Sequence, residues 1–437
     1  MEMNMNEVIV GIVGIFVLLA LFCTGIEIGF AMALIGFLGF SYLVSVPAAL
    51  NLLAKDFFEV FSSYGLTVVP LFILMGQIAF ASGIAKKLYD STHKFMGHVP
   101  GGLAMATVAG ATLFKAICGS SPATAATFAS IAVPEMDRFG YDKRLSTGIV
   151  ATVGTLGFLI PPSATLIILG VITEQSIGKL FMAGLVPGLI LAAFFVLIVY
   201  GWCKINPSIG PRSDKFSWKE RVASLPEFAW PILIFLVVIG GLMNGFFTPT
   251  EAGSVGTFAV LMLTLAKRSL NFAEFKKAVA ETLRPTAMIM MLIAGSAVLS
   301  HFIAMTRIPM ITSDWITGLE FPRWVIMVII MFIYLLGGSF VDDLAFMILA
   351  TPIFYPAVIK LGYSPLWFGI MIGLTVGVGV VIPPVAVCVF VVKNITKVPF
   401  NTIYKGVYPF LVALVVVGIL LFIFPQIATF LPSILYK

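Results

Sequence analysis

Two nine-residue segments, each ending in a Pro-Pro pair, interrupt long apolar runs about half a chain apart. They read Gly154-Thr-Leu-Gly-Phe-Leu-Ile-Pro-Pro162 and Val376-Gly-Val-Gly-Val-Val-Ile-Pro-Pro384. A regular helix cannot pass through either segment, because proline lacks an N–H donor and glycine weakens a helix. At membrane depth, the released backbone carbonyls must be buried in protein or face a wet cavity. Matched interruptions in two halves of a membrane protein therefore indicate a binding site near the bilayer midplane.

The composition places the chain among membrane proteins. Of its 437 residues, 60% are hydrophobic and 11% are charged, and the mean hydropathy is +1.09, which is outside the range of soluble domains. Because a helix needs roughly 20 residues to cross a bilayer, we predict an all-α polytopic protein with about ten spans and two re-entrant hairpins. The four cysteines and three histidines have neither zinc-ligand nor disulfide spacing.

The distribution of basic residues predicts the orientation, because Lys and Arg concentrate in cytoplasmic loops. With the N-terminus outside, nineteen of the 26 Lys and Arg residues fall inside, six fall outside and Lys115 lies within a hairpin. The inside loops are 83–101, 135–146, 204–228, 267–284 and 393–405. The outside residues are Lys55, Lys179, Arg307, Arg323, Lys360 and Lys437. This topology accounts for the net charge of +6, so no nucleic-acid partner is expected.

Matching features recur at similar offsets in the two halves. The Pro-Pro pairs lie 222 residues apart, and Glu27 and Glu251, which each follow the first span of a half, lie 224 residues apart. With the orientation above, the first hairpin opens from the inside and the second from the outside, so the repeats are inverted. The predicted first inverted repeat is 1–203, with an inner re-entrant hairpin at about 104–134 and a broken helix at about 146–173. A cytoplasmic connecting loop, 204–228, follows it. The predicted second inverted repeat is 229–437, with an outer re-entrant hairpin at about 324–356 and a broken helix at about 366–392. Two short segments of mixed charge and apolarity, 48–61 and 270–283, are predicted to be amphipathic helices on the membrane surface.

An ordered series of motifs covers nearly the whole chain. In the first half these are Gly119-Ser-Ser-Pro-Ala-Thr-Ala-Ala126, Pro134-Glu-Met136, Gly140-Tyr-Asp142, Ile160-Pro-Pro-Ser163 and the Phe181 to Gly188 segment that ends in Pro-Gly. In the second half they are Trp230-Pro231, Gly240-Gly241, Phe247-Thr-Pro-Thr-Glu-Ala252, Asp342 with Ala345, Pro352 with Pro356, Phe368-Gly369 and Ile382-Pro-Pro-Val385. The series resembles the large membrane (M) subunit of tripartite ATP-independent periplasmic (TRAP) transporters, the DctM-like family.

This resemblance implies a sodium-driven importer of organic acids with an elevator-type fold like that of the ion transporter superfamily, in which a mobile transport domain moves against a scaffold. It implies two partners, a small four-helix membrane subunit and a soluble periplasmic substrate-binding protein. It also implies a multi-pass protein of a bacterial or archaeal inner membrane, which uses sodium as the coupling ion and needs no cofactor.

Hydroxyl groups and released carbonyls near the helix breaks supply the oxygen ligands that a hard cation prefers. The candidate sodium ligands are Gly119, Ser120, Thr155, Gly157, Pro161, Gly338, Asp342, Gly377 and Gly379. The candidate substrate-binding residues are Lys115, Ser120, Ser121, Thr124 and Ser163. Ionisable groups at membrane depth are costly and tend to be functional. The sequence leaves open whether Asp342 or its neighbour Asp343 is the ligand.

Lys115 lies one turn before Gly119 in an otherwise apolar segment. Its ammonium group could meet the carboxylate of an organic acid, or it could snorkel from the hairpin toward the cytoplasm. The sequence does not decide between these two positions.

Other functional classes account for fewer of these features. A channel also accommodates re-entrant loops, but two hairpins that open from opposite faces favour alternating access. The sequence contains no His-Glu-x-x-His motif and no Gly-x-x-x-x-Gly-Lys motif, which argues against an enzyme and against ATP as the direct energy source. The remaining alternative is a stand-alone sodium-coupled carboxylate symporter that works without a binding protein.

Overall fold

The computed structural model describes residues 5–213 and 215–435, and these residues form α-helices and short 3-10 turns without any strand. Lys437 lies outside the described residues. The first half contains α1 (Met5–Phe22), α2 (Ile28–Leu43), α3 (Val46–Ser62), α4 (Val68–Ala81), α5 (Ile84–Met96), α6 (Gly102–Lys115), α7 (Ser121–Arg138), α8 (Lys143–Val153), α9 (Ala164–Ile172) and α10 (Ile177–Ile205). The second half contains α11 (Trp218–Met243), α12 (Pro249–Ala266), α13 (Phe272–Met305), α14 (Ile308–Thr317), α15 (Arg323–Phe340), α16 (Asp343–Lys360), α17 (Pro365–Gly379), α18 (Val387–Thr396), α19 (Phe400–Ile423) and α20 (Gln426–Leu435).

Seven helices of the described chain are long and apolar enough to cross a membrane. They are Tyr64–Ala81, Ile177–Ile205, Trp218–Met243, Phe272–Met305, Arg323–Phe340, Asp343–Lys360 and Phe400–Ile423. Six further apolar helices are shorter, among them α2, which has 16 residues. The count differs from the predicted ten or so because breaks and early ends leave several apolar segments with helices below the length of a full span. The chain is a multi-pass membrane protein.

Both Pro-Pro segments lie between two helices. In the first half, α8 passes into a 3-10 turn at Gly154–Phe158, and a helix begins again only at Ala164. In the second half, α17 ends at Gly379 and α18 begins at Val387. Both Pro-Pro bonds are cis. Because neither stretch can continue a helical hydrogen-bond ladder, each leaves irregular backbone inside the protein.

The helix pairs α6–α7 and α15–α16 occupy the regions of the two predicted hairpins. Residues 116–120 separate the first pair, and Val341 with Asp342 separates the second. The side chain of Ser120 accepts a hydrogen bond from Ala123 N at the start of α7. Asp342 accepts one from Ala345 N at the start of α16 in the same way. These N-cap contacts satisfy backbone donors that a helix start would otherwise leave unpaired.

Two boundaries differ from the sequence prediction, one at the start of a helix and one at its end. The predicted connecting loop 204–228 is shorter, since Ser217 and Glu220 form a capping box and α11 begins at Trp218. The predicted surface helix 270–283 is the first part of α13, a continuous helix of 34 residues that starts at a capping box of Asn271 and Glu274. In the first half, the equivalent helix α3 ends separately at Ser62.

Glycines allow several helix pairs to cross at close range. On α2, a Cβ added at Gly29 would lie 2.7 Å from the carbonyl carbon of Met291 in α13. Between α8 and α19, a Cβ added at Gly406 would overlap the Arg144 carbonyl oxygen and lie 3.0 Å from Gly148 Cα. Small residues at such crossings let backbones approach closely, which stabilises helix association in membranes.

We expect Gly406→Ala to destabilise the protein, because the new methyl group must push α8 and α19 apart. Overpacking of this kind costs about 1–3 kcal/mol, and the thermal unfolding midpoint in detergent should fall by several degrees. The control is Gly418→Ala in the same helix, where the added Cβ would make an ordinary contact of 3.5 Å with Leu374 Cδ2. Equal midpoints for the two variants would contradict a tight α8–α19 crossing.

Candidate functional site

A cavity of about 240 Å³ lies where the hairpin breaks of both halves meet. Two more helices of the first half, α4 and α9, and the middle of α13 complete its wall. The lining residues are Val69, Phe72, Ile73, Gly76, Gln77, Cys118, Gly119, Ser120, Ser121, Pro122, Ala123, Phe158, Ala164, Thr165, Ile167, Pro285, Met288, Ile289, Asp342, Asp343, Leu344, Val380 and Val387. The wall is mostly apolar, with a few polar groups that converge from the breaks, as is typical of small-molecule sites.

In the first half, the turn between α6 and α7 packs directly on the Pro-Pro break. A Cβ added at Gly119 would lie 2.8 Å from the Pro162 carbonyl oxygen, and one added at Gly154 would lie 3.2 Å from the Ser121 carbonyl oxygen. The absence of side chains at these two glycines therefore brings two irregular stretches of backbone into contact.

The side chain of Lys115 extends from the end of α6 into this contact and is fully buried. Its Nζ donates a hydrogen bond of 2.8 Å to the Ser120 carbonyl oxygen. It also lies against Gly157, where an added Cβ would overlap the ammonium group and stand 2.8 Å from Ser121 Oγ. Lys115 does not line the cavity, and it does not snorkel to a surface.

In the second half, the hairpin turn packs on its own Pro-Pro break in a comparable way. The Ser339 carbonyl accepts a hydrogen bond of 3.2 Å from Val385 N. A Cβ added at Gly379 would lie 3.1 Å from the Gly338 carbonyl oxygen. The backbone of the α15–α16 turn is thereby held against the break that ends α17.

Two neighbouring carboxylates, Asp342 and Asp343, enter the cavity from the second-half turn. Asp342 Oδ1 accepts a hydrogen bond of 3.1 Å from Ala345 N, so part of its charge stabilises the start of α16. Among residues 5–213 and 215–435, no Lys, Arg or His nitrogen lies within 4.0 Å of either carboxylate. The negative charge at this end of the cavity is therefore without a basic partner.

The structure places only some of the candidate residues at the cavity wall. Those that line it are Gly119, Ser120, Ser121 and Asp342. Those that do not line it are Lys115, Thr124, Thr155, Gly157, Pro161, Ser163, Gly338, Gly377 and Gly379.

Several hydroxyl groups of these residues make hydrogen bonds within their own segments. Thr124 Oγ1 donates to the Ser120 carbonyl at 2.9 Å, and Thr155 Oγ1 donates to the Thr152 carbonyl at 2.7 Å. Ser163 Oγ caps α9 by accepting from Leu166 N. These hydroxyls stabilise the breaks, and none of the three residues lines the cavity.

Two polar residues of the cavity wall were not among the candidates. Gln77 lies on α4, where it is the one polar side chain in the sequence Val-Val-Pro-Leu-Phe-Ile-Leu-Met-Gly-Gln-Ile-Ala-Phe-Ala. A polar group in such a run is itself a sign of function, so the sequence did contain this signal. Thr165 lies on the first turn of α9, and its position depends on how that helix packs.

The polar groups of the site are suited to a hard cation or a polar organic molecule. The described part of the chain contains no group of three or more His, Cys, Asp or Glu side chains that could hold a metal ion. The breaks instead supply carbonyls, hydroxyls and two carboxylates, which are the ligands that hard cations select.

Together, the helical architecture, the paired breaks and the cavity between them define a polytopic membrane protein of the transporter class. Two solved structures share the fold. The YdaH transporter of Alcanivorax borkumensis matches with a TM-score of 0.62 at 14% identity, over 87% of this chain and 89% of that chain. MtrF of Neisseria gonorrhoeae matches with a TM-score of 0.55 at 14% identity, over 87% of this chain and 84% of that chain.

The sequence comparisons are more specific. The family model described as "Tripartite ATP-independent periplasmic transporter, DctM component" matches residues 15–427. The C4-dicarboxylate TRAP transporter large permease protein DctM of Pseudomonas aeruginosa is 33% identical over 90% of this chain and 91% of that protein. The sialic acid protein SiaM of Vibrio cholerae is 30% identical and the ectoine protein TeaC of Halomonas elongata 31%, each over 96% of this chain and 98% of the relative. The chain belongs to the DctM family of large TRAP transporter permease subunits, as its motifs predicted.

Proposed function

We propose that the chain is the large permease subunit of a sodium-driven importer that carries an organic acid across a prokaryotic inner membrane. The observation that carries this proposal is the cavity between the two hairpin breaks, with Asp342 and Asp343 on one side. Neither carboxylate has a Lys, Arg or His nitrogen within 4.0 Å in the described part of the chain. The named relatives handle C4-dicarboxylates, sialic acid and ectoine. Two of these three are acids by name, so we assign an organic acid to this chain as well.

We place the coupling sodium ion at the second-half break. Asp342 or Asp343 supplies a carboxylate, and the backbone around Gly338, Gly377 and Gly379 supplies carbonyl oxygens. A cation bound there neutralises the acid pair, which favours occupation of the same cavity by a carboxylate substrate. Binding of sodium and of substrate is then coupled through their opposite charges.

We propose that transport follows an elevator mechanism between two inverted repeats. Helices α2, α4, α12 and α13 form one packed group, in which Thr257 Oγ1 of α12 donates a hydrogen bond of 2.8 Å to the Leu71 carbonyl of α4. The hairpin helices and the interrupted helices form a second group around the breaks, in which Phe158 lies 3.1 Å from the Cβ position of Gly377. The first group is assigned to the scaffold and the second to the mobile body.

Two partner proteins complete the proposed system, a small four-helix membrane subunit and a periplasmic substrate-binding protein. The family description, a tripartite periplasmic transporter, supports this assignment. Helices α11 and α12 present apolar side chains outward, among them Leu236 and Phe258, which are 59% and 62% exposed. Lipid and the small subunit would cover such faces.

Uptake in proteoliposomes tests this function. The chain is reconstituted with its small membrane subunit, and the binding protein and an inward sodium gradient are added separately and together with radiolabelled organic acids. We expect uptake only when both are present. Uptake that needs sodium but not the binding protein would identify the stand-alone symporter instead, and uptake that does not depend on sodium would overturn the coupling.

A further inference from the structure

Lys115 is a buried cation whose role remains unassigned. Its side chain is fully buried, yet no carboxylate of the described chain lies within 4.0 Å of its Nζ. A buried charge without a counter-charge is costly unless polar groups surround it. Its Nζ donates a hydrogen bond to the Ser120 carbonyl oxygen in the turn between α6 and α7, and the thiols of Cys118 and Cys388 lie nearby.

The Ser120 carbonyl oxygen is the centre of these contacts. It accepts hydrogen bonds from Lys115 Nζ at 2.8 Å, from Thr124 Oγ1 at 2.9 Å and from Thr124 N at 3.2 Å. A carbonyl oxygen has two lone pairs, so this one has no capacity left for an additional cation. Lys115 also lies at the C-terminal end of α6, where the last carbonyls carry partial negative charge that favours a cation.

The two halves differ at the same position of their Pro-Pro segments. Gly157 and Gly379 are both the fourth residue of the nine. At Gly157 an added Cβ would overlap the Lys115 ammonium group, whereas at Gly379 it would lie 3.1 Å from the Gly338 carbonyl oxygen. The first-half break thus contains a positive group of the protein itself, and the second-half break contains two carboxylates instead.

We propose that the Lys115 ammonium group is a tethered cation that takes the place of a sodium ion at the first-half break. This inference rests on the proposed sodium coupling and limits it, because sodium then binds only at the second-half break, beside Asp342 and Asp343. The Ser120 carbonyl and Gly157 lie against the lysine. None of the first-half candidates Gly119, Ser120, Thr155, Gly157 and Pro161 then ligates a mobile ion. The tethered charge travels with the protein and is never released, so it adds nothing to the sodium carried in each cycle.

Binding of radioactive ²²Na to the purified chain with its small membrane subunit tests this proposal without measuring transport. We expect the wild type to bind sodium and Asp342→Asn/Asp343→Asn to bind none. Adding Lys115→Ala to the double variant should restore specific sodium binding, because the freed carbonyls then face an empty cation position. The matched control adds Lys87→Ala, which removes an exposed lysine of α5 and should restore nothing.

Each outcome decides a separate point. A wild type that binds no sodium would refute the proposed coupling itself, and the tethered-cation proposal with it. Sodium binding that persists in the double Asn variant would show that the first half holds an ion while Lys115 is present, which overturns only the inference. Failure of a folded Lys115→Ala triple variant to regain binding would also overturn it. If the triple variant does not fold, sodium binding by the Asp342→Asn/Asp343→Asn variant, which keeps Lys115, still tests the inference.

Discussion

We expect sodium-driven uptake to fall to background when Asp342 and Asp343 are both replaced by Asn. The double change keeps the shape of the turn and the capacity to cap α16, since Asn is as good an N-cap as Asp. It removes both negative charges from the cavity wall. A charge-assisted contact contributes about 1.5–3 kcal/mol, so sodium affinity should fall by at least tenfold for each carboxylate that ligates the ion. Uptake into proteoliposomes at a fixed sodium gradient measures this loss.

The two single variants decide which carboxylate is the ligand. Asp342 Oδ1 is already engaged by Ala345 N, so we expect Asp343→Asn to reduce sodium affinity more than Asp342→Asn. The control is Asp314→Asn, which removes an acid that is 62% exposed and pairs with Lys360 on the surface. Exposed pairs contribute about 0–1 kcal/mol, so this variant should retain uptake. Full uptake by the double Asn variant would remove the acid pair from the mechanism.

The helix breaks could be predicted from sequence because their cause is local. Proline removes a hydrogen-bond donor and glycine weakens a helix in any surroundings, so Pro161 and Pro383 predicted interruptions before any fold was known. The family could also be recognised, because its motifs recur in order along the chain. Two helix boundaries were predicted wrongly: the capping box at Ser217 begins α11 inside the predicted loop, and α13 continues through Pro285 instead of ending near residue 283.

The arrangement of the site depended on contacts between distant segments. Lys115 touches Gly157, which lies 42 residues later in the chain. Its side chain is fully buried, so it does not snorkel to a surface. Thr124, Thr155 and Ser163 were chosen for their oxygens, but their hydroxyls are engaged within the breaks. Spacing along the sequence identifies which residue types are near a break. It does not specify which side chains face the cavity.

Gly76 of α4 offers a direct test of the elevator proposal, because it faces the first hairpin turn. A Cβ added at Gly76 would lie 3.2 Å from Cys118 Sγ and 3.6 Å from Cys118 Cβ. The second distance is within the range of Cβ–Cβ separations found in disulfides. Both positions line the cavity. Gly76→Cys should therefore form a disulfide with the native Cys118 when copper phenanthroline oxidises the two thiols.

This disulfide joins α4, assigned to the scaffold, to a turn assigned to the mobile body. We expect uptake to fall in proportion to the cross-linked fraction, because the two groups can no longer move past each other, and to recover when a reductant breaks the bond. Gly76→Cys in a Cys118→Ser background is the matched control, since it carries the same added side chain without a partner and should be insensitive to oxidant. If fully cross-linked protein still transports, α4 and the first hairpin stay together during the cycle. The moving boundary would then lie elsewhere in the fold.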